Sequence, residues 1–293
     1  MVITMNDKNI SLLFKNATSI QNIDAYEANK IGYTSRILIQ ATLPHSDLKT
    51  SSFQIKNGDF NVCILSNPKI GIPYGIYPRL LLYWVVTEAV KTKSPVLTLG
   101  SSLSQFMEKL GIIPTGGKWG TIAMLKKQVH RLFSSSISCD YSKNNDISTG
   151  IVFSIAKSYT IFWDSKNYDK CNLFDSTVTL NTDFFKEITD RPVPIDMRAL
   201  SALKSSCVAL DLYCWLTYRM CYLKKPTLIS WEILQDQFGS NYQNTSKGKY
   251  QFKRKLVPQL LKVMVIYEKV KVEILEKGLI IKPSNTHVPK KAA

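Results

Sequence analysis

The strongest constraint on the fold is an order of predicted secondary-structure elements that occurs twice along the chain. After Tyr77, apolar periodicity and turn residues predict a helix, a short strand, a helix, a turn, a helix and a β-hairpin. The segments that give this order are PRLLLYWVVTEAVKT, SPVLTLG, SLSQFMEKLGI, IPTGGKWG, TIAMLKKQVHRLFSSSI, and the strands SISCDYS and GIVFSIAKSYTIFW around KNND. This is the order of a winged helix-turn-helix domain.

The same order returns after RPVPIDM, whose two prolines predict a domain junction. The second set of segments is SSCVALDLYCWLTYRMCYLK, PTLIS, WEILQDQFG, SNYQNTSKGK, YQFKRKLVPQLLKVMVIY and the hairpin VKVEILEKGLIIKPS. A shift of 128 residues pairs Leu82 with Leu210, Ser102 with Ser230, Gly111 with Gly239, Lys127 with Lys255 and Leu132 with Leu260. The repeat therefore predicts two winged-helix domains related by pseudo-symmetry.

The segment before Tyr77 is predicted to be rich in strands. RILIQATL and FQIKNGDFNVCILS are apolar and β-branched, and NGD signals a turn. We therefore expect an α+β protein built from a strand-rich N-terminal extension (1–70), a first winged-helix domain (71–190), a second winged-helix domain (191–285) and a disordered basic tail (286–293).

The charge of the chain is strongly positive and unevenly distributed. The 38 Lys and Arg residues against 22 Asp and Glu give a formal net charge of +16, and residues 244–293 alone carry twelve basic and three acidic residues. Such asymmetry favours a polyanionic partner, first nucleic acid and second an anionic membrane surface. The basic residues interrupt folded elements instead of forming one amphipathic stripe, so we expect DNA and no membrane. No long apolar run or secretory signal pattern occurs, which predicts a soluble cytoplasmic protein.

Helical-wheel positions identify candidate DNA-binding residues on the third helix of the second domain. Phe252, Leu256, Leu260 and Val263 form one stripe that should face the core. The polar side chains around it are Lys247, Gln251 and Arg254 facing outward, Lys255 on one flank, and Lys249 and Lys253 at the edge, with Lys277 at the hairpin tip. Arg, Lys and Gln can bond base edges in the major groove, whereas edge lysines suit phosphates. Pro258 lies inside this helix and predicts a kink or a restart.

The third helix of the first domain has a similar division. Its predicted buried stripe consists of Ile122, Leu125, Val129, Leu132 and Phe133. The remaining candidates for DNA contact are Met124, Lys127 and Arg131, which should point outward, and Lys126 beside them. Lys127 and Arg131 are neighbours on one face, where two like charges cost a few tenths of a kcal/mol unless a partner offsets them. The alternative is a solvated basic face without a partner.

Catalytic functions are not expected from this sequence. The three histidines, His45, His130 and His287, are too far apart to form the metal-binding pair of a nicking replication protein. TGGKWG lacks the spacing of a phosphate-binding P-loop. Polar stretches typical of turns contain Asp140, Asp146, Asp164, Asp169 and Asp175, and the helical face of Cys207, Cys214 and Cys221 lacks the further ligands of a zinc site. We therefore expect no enzyme activity, no metal and no cofactor.

Several blocks resemble the plasmid-encoded RepA replication initiators. They are GIYPRLLLYWVVTEAVKTKSPVLTLGSSLSQFMEKLGIIPTGGKWGTIAMLKKQVHRLF, PVPIDMRALSALKSSCVALDLYCWLTYR, SWEILQDQFG, YQFKRKL and GLIIKPS. The resemblance implies a bacterial plasmid protein that binds repeated double-stranded sites at its origin, helps to open adjacent DNA, and recruits the host initiator and replicative helicase. It also implies that the first winged helix serves a homodimer. DNA contact is carried over to Lys127, Arg131, Arg254 and Lys255, which lie in matching blocks.

A different function shares every one of these physical features. A two-domain winged-helix transcriptional regulator would have the same fold, the same positive charge and the same recognition helices. It would differ in having no role in replication. The sequence thus predicts a DNA-binding replication initiator, with the regulator as the alternative.

Overall fold

The computed structural model describes residues 7–40, 42–143, 147–163, 175–239 and 242–289. Its helices are α1 (Asp7–Asn22), α2 (Arg36–Gln40), α3 (Ile76–Thr92), α4 (Leu103–Lys109), α5 (Thr121–Phe133), α6 (Thr182–Asp190), α7 (Met197–Leu203), α8 (Cys207–Met220), α9 (Trp231–Phe238) and α10 (Ser246–Ile266). Its strands are β1 (Ile31–Ser35), β2 (Ser52–Asn57), β3 (Phe60–Leu65), β4 (Val96–Gly100), β5 (Ser136–Lys143), β6 (Ile147–Ser154), β7 (Ala156–Thr160), β8 (Ser176–Leu180), β9 (Pro192–Asp196), β10 (Thr227–Ser230), β11 (Lys271–Ile274) and β12 (Gly278–Lys282).

The chain divides into two compact units. The C-terminal unit comprises Met1–Gly32, Leu38–Thr42 and Val193–Ala293, and the central unit comprises Tyr33–Ile37 and Leu43–Pro192. The break between Pro192 and Val193 lies close to the domain boundary predicted at 190/191. Segment 1–70, predicted as one extension, instead contributes residues to both units.

In the C-terminal unit, the predicted elements from α8 to β12 are all present. Three side-chain caps start its helices, because Ser206, Ser230 and Thr245 each accept a hydrogen bond from a backbone N–H in the first turn. The strands form an antiparallel sheet in the order β10-β12-β11. The core includes Trp215 and Phe238, whose rings meet edge to face at 5.4 Å. No helix in the described part of the chain is long and apolar enough to cross a membrane.

The central unit departs from the predicted strand pairing. β5 and β6 form the expected hairpin, but they extend β2 and β3 in a sheet of order β2-β3-β5-β6. The partner of β4 is β8, in a second sheet of order β4-β8-β7. The predicted strand GIVFSIAKSYTIFW is in fact two strands, β6 and β7, that belong to different sheets. Local periodicity missed this arrangement because partners distant in sequence decide which strands pair.

The strand-rich prediction for residues 1–70 is correct only for β1 and the β2–β3 hairpin. α1 is a helix because Leu13, Ala17 and Ile20 recur at helical spacing and are buried. RILIQATL begins with α2 instead of a strand. Ser35 Oγ accepts a hydrogen bond from Ile37 N at 3.2 Å, and Arg36 forms a paired contact with Glu187 at 2.6 and 3.0 Å. These two contacts fix the turn against the strand preference of its β-branched residues.

The predicted disordered tail is ordered as far as residue 289. His287 Nδ1 lies 2.7 Å from the Tyr213 hydroxyl, its ring packs on Tyr267, and Val288 is buried. Burial lowers the pKa of His287 to about 4, so the neutral ring accepts the Tyr213 proton. Residues 290–293, Cys171, Asp146, Asp164, Asp169 and most of the KNND turn lie outside the described residues.

Gly278 supplies a test of this fold. A Cβ there would lie 2.0 Å from the carbonyl oxygen of Ile229, where β12 meets β10. We expect Gly278→Ala to lower the free energy of unfolding by about 1–3 kcal/mol, measured by urea denaturation followed by circular dichroism. Gly116→Ala is the control, because its Cβ would meet open space. Equal denaturation midpoints for the two variants would contradict the described β10–β12 contact.

Candidate nucleic-acid interface

The N-terminal half of α10 presents an exposed polar face. Phe252, Leu256, Leu260 and Val263 are buried, as predicted from the helical wheel. The side chains left in solvent are Lys247, Tyr250, Gln251, Arg254 and Lys255. The outward orientation predicted for Lys247, Gln251 and Arg254 is therefore confirmed. From Lys247 to Lys255 this face extends about 12 Å along the helix axis.

The start of α10 is fixed by a close backbone contact. Thr245 Oγ1 accepts a hydrogen bond from Gly248 N at 3.1 Å, which caps the helix. Gly248 must lack a side chain, because a Cβ would lie 2.0 Å from the Gln243 carbonyl oxygen. The same oxygen accepts a hydrogen bond from Gln235 Nε2 of α9 at 3.1 Å. The exposed face thus begins at a defined position on α9.

Two lysines at the edge of α10 are held by neighbouring side chains. Lys249 Nζ lies 3.0 Å from Glu232 Oε1, and this hydrogen bond holds the pKa of Glu232 below its usual range. Lys253 Nζ lies 4.8 Å from the centroid of the Trp231 ring, a cation–π distance. Both side chains are half-buried, in agreement with their predicted position beside the apolar stripe.

Trp231 connects this edge to the hairpin tip. Its indole Nε1 donates to the carbonyl oxygens of Leu275 and Glu276 at 3.2 and 2.8 Å. Lys277, exposed at the same tip, accepts a backbone hydrogen bond from Trp231 N at 3.4 Å. One side chain therefore positions both Lys253 and the turn that carries Lys277. Sequence periodicity missed this role because the contacts cross more than 40 residues of chain.

Pro258 does not interrupt the helix. α10 continues from Ser246 to Ile266 as one element, with Val257 buried in it. The predicted restart is therefore wrong. Because proline has no N–H, the carbonyl oxygen of Arg254 loses its usual donor four residues later. Arg254 lies on the exposed face, where water can satisfy that carbonyl at little cost.

The candidate residues of α5 have a different environment. Arg131 is buried, which corrects its predicted outward orientation. Its Nη1 lies 3.1 Å from Asp47 Oδ1 and donates to the Ile72 carbonyl oxygen at 2.9 Å. The guanidinium carbon lies 5.1 Å from the centroid of the Tyr74 ring. The wheel missed this because Asp47 and Tyr74 come from a segment that packs over the polar side of α5.

The other α5 candidates are partly engaged in the same way. Lys127, whose side chain is 46% exposed, lies 3.6 Å from Asp47 Oδ2. Lys126 Nζ donates to the Trp163 carbonyl oxygen at 3.0 Å, and Met124 is half-buried. Asp47 thus neutralises much of the charge that the sequence assigned to this helix. DNA contact by these four residues stays a prediction.

The α10 face has the chemistry of a surface that can bond to nucleic acid. Arg254 offers a planar set of donors, Gln251 offers both a donor and an acceptor, and Lys247 and Lys255 offer ammonium groups. Among the described residues, no group of three or more His, Cys, Asp or Glu side chains is placed to hold a metal ion.

Three comparisons with known proteins bear on this surface. Residues 72–233, more than half of the chain, match the family model described as plasmid-encoded RepA protein. That match ends within α9 and does not include α10. No curated protein matches the chain.

Two solved structures are similar in fold. A crystal structure of selenomethionine derivatives of domains 2 and 3 of RctB has a TM-score of 0.54 at 13% identity, covering 85% of this chain and 96% of that chain. A second crystal structure of RctB domains 2–3 has a TM-score of 0.51 at 13% identity, covering 84% and 96%. At this identity the likeness concerns the fold alone.

Asp47 supplies a test of the α5 contacts. Desolvation by burial raises the pKa of its carboxyl, but hydrogen bonds from Arg131 and the Lys49 N–H, with the nearby positive charges, hold it below the ordinary value. Asp47→Asn should lower the free energy of unfolding by about 1–3 kcal/mol at neutral pH, because it leaves Arg131 buried without its counter-ion.

The pH dependence has a defined sign. Because the folded-state pKa of Asp47 is depressed, its stabilisation is present above the ordinary carboxyl pKa and is lost as pH falls through the folded value. The difference between wild type and Asp47→Asn in urea denaturation should therefore shrink towards about pH 3. Asp59→Asn, at an exposed turn, is the control. A difference that stays constant with pH would contradict the ion pair.

Proposed function

From the premise that the chain belongs to the family of plasmid-encoded RepA proteins, we propose that it initiates plasmid replication by binding repeated double-stranded DNA sites at the origin. The observation that carries this proposal is the exposed face of α10. An α-helix fits the major groove, and the face from Lys247 to Lys255 is long enough to span about three or four base pairs. Its residues match the side chains that bond guanine and adenine edges.

The arrangement of the C-terminal unit supports a winged-helix interpretation. The order α8, β10, α9, α10 and the β11–β12 hairpin is that of a winged helix, with α10 as the recognition helix. In this interpretation the hairpin is the wing, and Lys277 at its tip contacts a phosphate. Trp231 keeps the wing in register with α10.

The further parts of the proposal come from the family. We infer that the bound protein helps to open adjacent DNA, that it recruits the host initiator and helicase, and that it forms a homodimer. It acts in this role by binding and without catalysing a reaction. Bending of DNA by a bound protein stores a few kcal/mol, which can help an adjacent segment to open.

Replacement of two residues of this surface should separate base reading from phosphate binding. Arg254→Ala should reduce affinity for an origin-repeat duplex by about 1–3 kcal/mol while changing affinity for a scrambled duplex little. Lys277→Ala should weaken both duplexes about equally and reduce the salt slope by about one. Fluorescence anisotropy titrations over a range of salt concentrations measure both effects. Lys56→Ala, at an exposed strand position of the central unit, is the control.

Equal behaviour of the Arg254 and Lys277 variants on the two duplexes would contradict this division of roles. A loss as large in Lys56→Ala would mean that net charge alone determines binding. That result would favour a solvated basic surface over a reading helix.

Plasmid maintenance separates the initiator from the transcriptional regulator. A plasmid whose origin depends on this chain should be lost from cells that express Arg254→Ala and kept with wild type. Copy number measured by quantitative amplification reports the difference. A regulator would alter transcription from its target promoter, but its removal would leave the plasmid replicating.

A further inference from the structure

Trp119 is the most exposed large apolar side chain in the described part of the protein. It is 83% exposed, and Ile113 of the same loop is 81% exposed. All five tryptophans lie within the described residues, and the remaining ones, Trp84, Trp163, Trp215 and Trp231, are buried. Leaving an indole in water forfeits a large hydrophobic gain, so a function for the exposed ring is expected.

The loop that carries Trp119 is closed by its own hydrogen bonds. Thr121 Oγ1 donates to the Ile113 carbonyl oxygen at 2.8 Å and accepts from Thr115 N at 2.8 Å, while Thr121 N donates to Thr115 Oγ1 at 2.9 Å. Gly120 lies so close to the start of the loop that a Cβ would be 2.2 Å from two carbonyl oxygens, those of Thr115 and Gly116. The ring is therefore held outward by a defined backbone, which reduces the entropy cost of binding.

Lys118 gives the exposed ring a positive neighbour. Its Nζ lies 5.5 Å from the centroid of the Trp119 ring. The sequence between Glu108 and Asp140 has no acidic residue, and its basic residues are Lys109, Lys118, Lys126, Lys127 and Arg131. An aromatic face beside an ammonium group complements one nucleotide, whose base stacks on the ring while its phosphate meets the lysine. A purely apolar partner would gain nothing from Lys118.

We propose that Trp119 stacks on an unpaired base of single-stranded DNA and that Lys118 contacts the adjoining phosphate. The exposed ring can take up an unpaired base without the cost of unstacking a duplex. This inference rests on the proposed function, because it assigns the opened strand of an origin to a surface separate from the α10 face.

Intrinsic fluorescence tests the proposal directly, since Trp119 is the exposed fluorophore. Oligothymidylate of about 16 nucleotides should quench wild-type emission and protect it from iodide. Trp119→Leu keeps an apolar side chain but removes the aromatic face, and should lower affinity for the oligomer by roughly fivefold or more in an anisotropy titration. Trp119→Phe should retain most of the affinity, and Lys118→Ala should weaken it and reduce its salt dependence.

The controls separate this inference from its premise. Arg254→Ala should keep the oligothymidylate response, whereas Trp119→Leu should keep discrimination between origin and scrambled duplexes. Unchanged emission at saturating oligomer, or equal affinity of Trp119→Leu and wild type, would overturn the proposal. So would quenching by intact duplex alone, or a concentration-dependent emission change without DNA, which would indicate self-association.

Discussion

The indole of Trp231 is the interaction on which the candidate interface of the C-terminal unit depends. Its N–H bonds two carbonyls of the β11–β12 turn, and its face lies under Lys253 of α10. A buried indole N–H without a partner would cost about 1–3 kcal/mol, so the turn and α9 are held together strongly. A helix that reads DNA needs a fixed relation to the hairpin beside it, and this one side chain supplies that relation.

The two helices with basic faces differ in how their charge is balanced. On α10, Lys247, Arg254 and Lys255 remain exposed, with Lys249 engaged by Glu232 at the edge. On α5, Asp47 pairs with both Lys127 and Arg131. Similar local sequences therefore serve different purposes. The α10 face is available to a polyanion, while the α5 charges stabilise the packing of the segment around Asp47 against the helix.

Local sequence features predicted much of the fold. Apolar spacing identified α8, α9 and α10, and the capping residues Ser102, Ser230 and the stop at Gly239 marked their ends. The exposed face of α10 followed from its wheel alone. What the pattern missed depends on distant partners: β8 as the neighbour of β4, the burial of Arg131 by Asp47, and the contacts of Trp231. The helical start of RILIQATL was missed for the same reason, since Glu187 holds Arg36 there.

The central claim is that the exposed face of α10 reads sequence. The most direct measurement is a selection of duplexes from a random pool by wild type and by a variant with both Gln251→Ala and Arg254→Ala, at about 0.15 M salt. The account predicts that wild type enriches one motif and that the variant loses preference at its guanine and adenine positions while still retaining duplexes weakly. The same motif in both selections, or no enrichment by wild type, would contradict it.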